Sequence, residues 1–303
     1  MNAAPVLVGY TAAIGLIAPR LLLRAAWPHR APVLAAAVWQ ALMIAFTIGA
    51  ALAAYNLAMP TEHLHAGVVG LLHYCGLHVS QGEPDPATAD QLAVALPATI
   101  GITLIASFAF HVGRARHART RHREAVDLIG HHSARLRATV LPYNRPAAYC
   151  LPGRHPRVVI SDAAMRELTS EQLAAVLEHE QGHIAGRHHL ALAVAEAFYS
   201  VFRRLPLARH GREQTTLLLE MVADDRALRR HSGEALATAM YEMAAARTPR
   251  GAFAAGGQTV LIRLQRVLGP RQAPHPAVWG FMATAAATIP LLPLIVACPP
   301  IFG

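Results

Sequence analysis

Not one lysine occurs in this sequence, so all 27 of its basic residues are arginine. Acidic residues are scarce too, and charged residues make up only 15% of the chain against roughly 25% in an average soluble protein. A chain so poor in charge and 54% hydrophobic is neither a disordered polymer nor an ordinary water-soluble globule, and it points to lipid. Aromatic residues are few, at 6%, and they do not interleave with the arginines. The net charge of +9 therefore gives no reason to expect direct nucleic-acid binding, because the arginines flank apolar runs as the cytoplasmic edges of membrane spans do. Three cysteines, Cys75, Cys150 and Cys298, lie far apart without C-x-x-C spacing. That excludes a disulfide framework and a cysteine zinc knuckle, and leaves the compartment to be read from topology.

Apolar runs are abundant. Four, at about 4–23, 33–58, 92–112 and 277–298, are long enough to cross a bilayer, which takes about 20 helical residues at 1.5 Å each. The first, "APVLVGYTAAIGLIAPRLLL", has no basic residue before it and carries Arg20 and Arg24 at its far end, the reverse of a secretory signal, so it is expected to remain as a span. The turn that follows holds Arg24, His29 and Arg30, whereas the connection 59–91 holds Glu62, Glu83, Asp85 and Asp90 and no arginine. Positive-inside logic then places the amino terminus and the 59–91 loop outside and the first turn in the cytoplasm. Five arginines between 114 and 123, and Arg263, Arg266 and Arg271 before the last span, put both ends of 113–276 in the cytoplasm as well. The expected protein is a multi-pass cell-membrane protein with the lipid bilayer as a partner and both termini external. Its layout is three spans in 1–112, a cytoplasmic domain in 113–276, and a fourth span with a short tail in 277–303.

Within the outer loop, "HLHAGVVGLLHYCGLH" carries His63, His65, His73 and His78. A metal site is one reading, but the spacing repeats no ligand motif, and a surface-lying or packed helix is favoured.

Residues 113–276 hold most of the charge and are long enough to build a domain core. "AAYCLPGRHPRVVISD" reads as two short strands, about 146–151 and 157–161, joined by a turn through "PGRHP". A helix follows with Ser161 or Asp162 as its N-cap. "TSEQLAAVLEHEQGHIAGRHH" starts another, with Thr169 and Gln172 spaced as a capping box, Glu171 in the first turn, and Leu173, Val176, Leu177 and Ile184 on the inward face. This helix carries His179, Glu180 and His183 in the spacing H-E-x-x-H. At 100° per residue the two histidines share a face one turn apart and can offer nitrogens to one ion, with the glutamate placed as general base. Eighteen histidines make an accident conceivable, yet chance supplies only about 0.04 such motifs in a chain of this composition.

A catalytic zinc takes three protein ligands and an open position. "TTLLLEMVADDRALRRH" reads as a helix with Leu217, Leu218, Met221 and Leu228 apolar, and with Glu220 and Asp224 four apart on one face. Glu220 would complete a His, His, Glu set, and Asp224 would reach back to fix a ligand imidazole. The competing reading, two exposed carboxylates answered by Arg226 or Arg229, loses weight downstream of an H-E-x-x-H. Between these helices "LALAVAEAFYSVFRRLP" is short for a span and is interrupted by Glu196, so it is expected as a buried or interfacial helix.

The set "AYCLPGRHPRVVIS…LTSEQLAAVLEHEQGHIAGRHH…LEMVADDRAL", over roughly 140–235, resembles the metallopeptidase domain of the BlaR/MecR-type membrane antirepressor peptidases. These are gluzincins related to HtpX and the CAAX prenyl proteases. The resemblance implies one zinc per chain, held by His179, His183 and Glu220, with Glu180 as catalytic base and Asp224 as the aspartate of the E-x-x-x-D element. It implies a mainly α membrane fold: four transmembrane helices plus a cytoplasmic α+β gluzincin-type peptidase domain with a small sheet. The activity implied is hydrolysis of peptide bonds in a cytoplasmic protein, a transcriptional repressor in the signalling members. A penicillin-sensor domain, which in those members follows the last span, is not expected from the few residues after 298. HtpX-like membrane-protein quality control and a non-enzymatic signalling scaffold are the alternatives. Strand 157–161 is expected to align an extended substrate by edge pairing.

Overall fold

The computed structural model describes residues 3–58, 86–245, 257–270 and 276–297. The outer-loop histidines, Cys75 and Cys298 lie outside these residues.

Among the described residues the fold is mostly helical with one small sheet. Helix α1 (Ala4–Ala12) passes through a π turn (Ala13–Ile17) into α2 (Ala18–Arg24). Pro19 explains the widened turn, since it has no N–H to give to the preceding turn and its ring crowds the carbonyl there. Helix α3 (Pro32–Ala58) follows. Its 27 residues reach about 40 Å at 1.5 Å per residue, enough for a bilayer core. Helix α4 (Pro86–Ile129) runs unbroken from an apolar first half through residue 112 into the arginine-rich stretch.

Among the described residues four helices are long and apolar enough to cross a membrane: Ala4–Arg24, Pro32–Leu57, Val94–Ile129 and Pro276–Ala297. They match the four expected runs, and exposed side chains on the last two, among them Ile102, Ile105, Trp279 and Phe281, suit a lipid surface. These features suggest a membrane protein.

The sheet has strands β1 (His131–Ser133), β2 (Ala138–Leu141), β3 (Ala148–Leu151) and β4 (Arg157–Ser161) in the order β1-β2-β4-β3. The β3–β4 hairpin is the one expected from sequence; β1 and β2 are additional. β4 pairs with β2 in parallel and with β3 antiparallel. The expectation that 157–161 receives a substrate strand is therefore wrong, since both its edges are taken. Its continuous run Val158, Val159, Ile160, buried on both faces, is what an inner strand looks like. β1 and β3 are the edge strands, and β3 is the one beside β4.

One sheet face, with Val140, Ala148, Val158 and Ile160, packs on Leu173, Val176 and Leu177 of α6 (Ser170–Ala185). The other face packs Leu151 and Val159 on Val126 of α4. Between sheet and α6 runs the short α5 (Asp162–Glu167), capped by Ser161, whose Oγ accepts the Ala164 N–H.

Helices α7 (His188–Val201) and α8 (Pro206–Ala227) lie against α3. Trp39, Leu42, Met43 and Phe46 of α3 meet Phe198, Leu207, Leu218 and Met221, and Phe46 stands edge-on to Phe198 at 5.8 Å. So α7, expected as a buried or interfacial helix, is partly buried, through His188, Ala195, Ala197 and Phe198, and Glu196 in its apolar run is answered by Arg212 at 2.6 Å. Helices α9 (Gly233–Ala245), α10 (Gly257–Leu268), α11 (Pro276–Thr288) and α12 (Leu292–Ala297) complete the chain.

Candidate metal centre

Helix α6 opens with a reciprocal capping box: Thr169 Oγ1 accepts the Gln172 N–H at 3.3 Å and Gln172 Oε1 accepts the Thr169 N–H at 2.9 Å. This fixes the start of the helix and hence the direction of every side chain along it. Three turns on, the Nε2 atoms of His179 and His183 lie 3.2 Å apart. Glu220 on α8 places Oε1 3.3 Å from His183 Nε2 and Oε2 3.7 Å from His179 Nε2. The helices come this close because position 182 is glycine; a Cβ there would stand 3.1 Å from Ala223 Cα.

These separations can be tested against a metal. A tetrahedral zinc with nitrogen and oxygen ligands about 2.0–2.1 Å away spaces its ligand atoms about 3.3 Å apart. The two histidine nitrogens meet this spacing, and with one oxygen of Glu220 the three ligand atoms lie within 4.8 Å of one another, so together they could hold one ion.

Each imidazole is backed differently. Asp224 Oδ1 lies 2.9 Å from His179 Nδ1, although off the line of a straight hydrogen bond. Asp224 is fully buried, so it is no exposed carboxylate. Burial alone would push its pKa up, but Arg263 and His179 hold it down at about 2. Burial likewise works to lower the His179 pKa, and the neighbouring carboxylates, Asp224 foremost, overcome it and raise the value.

His183 has no carboxylate behind it. Its Nδ1 is 2.9 Å from Nδ1 of His188, which is buried. Arg187, in the left-handed region at φ 47°, reverses the chain after α6 and swings His188 back over the site. Gly186 makes room, since a Cβ there would be 2.3 Å from His188 Nε2. Burial, then the neighbouring cations, lower His183 to about 4, and burial with His183 beside it lowers His188 to about 4.

Glu180 is half-buried, one residue on from His179, and its charge acts on His179, Arg263 and Cys150. Cys150 on β3 is also under the charges of Glu180 and Glu220; burial first, then those carboxylates, push its thiol up to about 12. β3 packs on α6, the helix that carries the two histidines. All five residues singled out from sequence, His179, Glu180, His183, Glu220 and Asp224, come together.

Residues 114–248 match peptidase family M48. The M48 match covers β1–β4, α5–α8 and every residue of the centre except Arg263, and it supports a metallopeptidase, a class that uses zinc. No curated protein and no solved structure matches the chain. The narrower BlaR/MecR likeness has no support from these comparisons.

Two residues of the centre went unread in the sequence. His188 had a signal, a histidine five positions after His183 behind a glycine. Arg263, which donates to both Asp224 and Glu220, had none, because from 39 residues away it reads as part of a basic flank. It lies beyond the M48 match. Arg226 and Arg230 pair with Glu178 and leave Asp224 to Arg263.

Proposed function

We propose that the chain is an integral-membrane zinc metalloendopeptidase that hydrolyses peptide bonds in a cytoplasmic protein. The observation that carries this reading is the His179, His183 and Glu220 cluster, with one ligand atom from each within 4.8 Å of the others, inside the M48-like segment. These three residues hold one zinc, which when bound supplies polarisation of the scissile carbonyl and a more acidic water. Glu180 takes the proton from the attacking water and returns it to the leaving amine, and no covalent acyl intermediate forms. Asp224 holds His179 in the tautomer that frees Nε2. An extended substrate pairs with the open edge of β3, beside Cys150 and Glu180, and its side-chain pockets set preference.

In the proposed topology the amino terminus is outside and 113–276 is cytoplasmic. A reporter fused near residue 130 that scores as external overturns this placement. A soluble repressor is one substrate class. Membrane-protein quality control is a second reading, favoured by the apolar cluster that joins α7 and α8 to α3 and so ties the centre to a candidate span. Substrate trapping with Glu180→Gln separates them by the identity of the captured chain.

The deciding experiment is cleavage of a model protein by purified wild type and Glu180→Gln. Loss of about 10²–10⁴-fold is expected with zinc content unchanged. Equal cleavage by both proteins would overturn the protease mechanism through Glu180.

A further inference from the structure

Arg263 lies on α10, outside the segment that resembles a peptidase, yet its side chain is only 13% exposed and closes the back of the centre. Its Nε and Nη2 donate to the two oxygens of Asp224 at 2.8 and 2.7 Å, and its Nη1 donates to Glu220 Oε2 at 2.7 Å. A planar guanidinium offers these three N–H groups in one fixed fork, so the two carboxylates are set relative to each other and not merely neutralised. The contacts form a ring: His179 to Asp224, Asp224 to Arg263, Arg263 to Glu220, and Glu220 back to His179 and His183. With Oε2 engaged by the arginine, Oε1 is the Glu220 oxygen left facing His183. Charge accounting agrees: Glu180, Glu220 and Asp224 with Arg263 and a divalent cation leave the centre neutral, whereas without the arginine a buried carboxylate has only imidazole to answer it.

Local sequence explains how α10 delivers this group. Ile262, Leu264 and Val267 pack inward, while Arg263 and Arg266, three apart, share the face turned to α8. Arg266 forms a separate tie: its Nη2 donates between the two Asp225 oxygens at 2.7 and 2.8 Å, and its Nε donates to the His29 carbonyl at 2.7 Å. One arginine docks the helix; the other enters the centre.

We propose that Arg263 is a positioning residue of the metal centre, which sets Glu220 and Asp224 in the orientation that binds the ion. The inference rests on His179, His183 and Glu220 being the ligands. It makes the centre depend on α10, the helix that precedes the last candidate span.

The test uses the purified full chain, stripped of metal and titrated with Zn2+ against a chromophoric chelator, and with Co2+ to read its d–d absorption. Four variants are compared: Arg263→Gln, Arg263→Lys, Arg266→Gln and His179→Ala. Arg263→Gln should bind zinc about 10- to 100-fold more weakly and give an altered Co2+ spectrum. Arg263→Lys should lose less, since it keeps the charge without the fork; it also serves if Arg263→Gln fails to fold. Arg266→Gln, which removes an equal docking contact, should keep the wild-type Co2+ spectrum and nearly the wild-type affinity. Wild-type affinity in both Arg263 variants, with zinc lost from His179→Ala, would overturn the role of Arg263 and leave the ligand reading intact. Equal losses in Arg263→Gln and Arg266→Gln would also overturn it, since the arginine then only docks α10. Full zinc occupancy in His179→Ala would instead overturn the ligand reading and the inference with it.

Discussion

Along α8, Leu217, Leu218 and Met221 meet Trp39, Met43, Phe46 and Phe198 with no polar contact, while Glu220 and Asp224, on the same turns, meet two histidines and an arginine. Leu218, Met221 and Asp224 are equally hidden from solvent, and Glu220 is half-buried. What separates them is direction. The apolar face is held by area and shape, so any side chain of similar volume serves. On the charged face, moving one group leaves another ionised and unpartnered, so distances there are tied to one another. The first face sets how strongly α8 is held; the second sets what it can bind.

Substitutions that touch one face and spare the other test this division. The largest expected effect on stability is Leu218→Ala, which leaves a cavity against α3 and should cost about 2–5 kcal/mol in unfolding. Zinc affinity measured well below the lowered melting temperature should be unchanged; a parallel fall in affinity would mean that the faces are not independent. Next is His188→Ala, which removes the partner of His183 Nδ1 and should weaken zinc about 10- to 100-fold, with little loss of stability in the metal-free protein.

The pH dependence of the metal-free protein sharpens the contrast. Asp224, held at about 2 against an ordinary 3.8, adds stability that is complete above about pH 4 and fades as pH falls toward 2. His179, raised above its ordinary 6.5, adds stability that is complete below 6.5 and fades as pH climbs through its folded value. Their pairing therefore stabilises most between about pH 4 and 6.5. Asp224→Asn should flatten both limbs of a melting-temperature profile, and Leu218→Ala should shift the profile down without changing its shape. The smallest effect is Thr169→Ala, which removes the α6 cap and should cost about 1 kcal/mol, with both zinc affinity and pH profile retained.

Much of this protein was legible because its signals are local. The H-E-x-x-H spacing, the Thr169 and Gln172 cap and the four apolar runs each lie within a few turns of one helix, where 3.6-residue geometry alone fixes which side chains share a face. Glu220 and Asp224 were legible for the same reason once a two-histidine site called for another ligand. Strand order was not. The run at 157–161 reads equally well as an edge or an inner strand until β1 and β2, which are short and carry weak patterns, are seen to form beside it. His188 was half-legible: its spacing is plain, but only the left-handed turn at Arg187 turns its ring onto His183.

By itself, then, the sequence determined which helices are apolar enough to span a membrane, and which histidines and carboxylates could converge. Tertiary structure decided what backs them. Whether Asp224 is an exposed acid or a buried anion, and whether Arg263 is a basic flank or part of the centre, depends on α10 folding across α8 from 39 residues away. No local periodicity encodes that approach, because it is a contact between helices far apart in the chain: α10 packs Leu264 and Val267 on Leu236 and Ala237 of α9 and carries Arg263 to the carboxylates of α8.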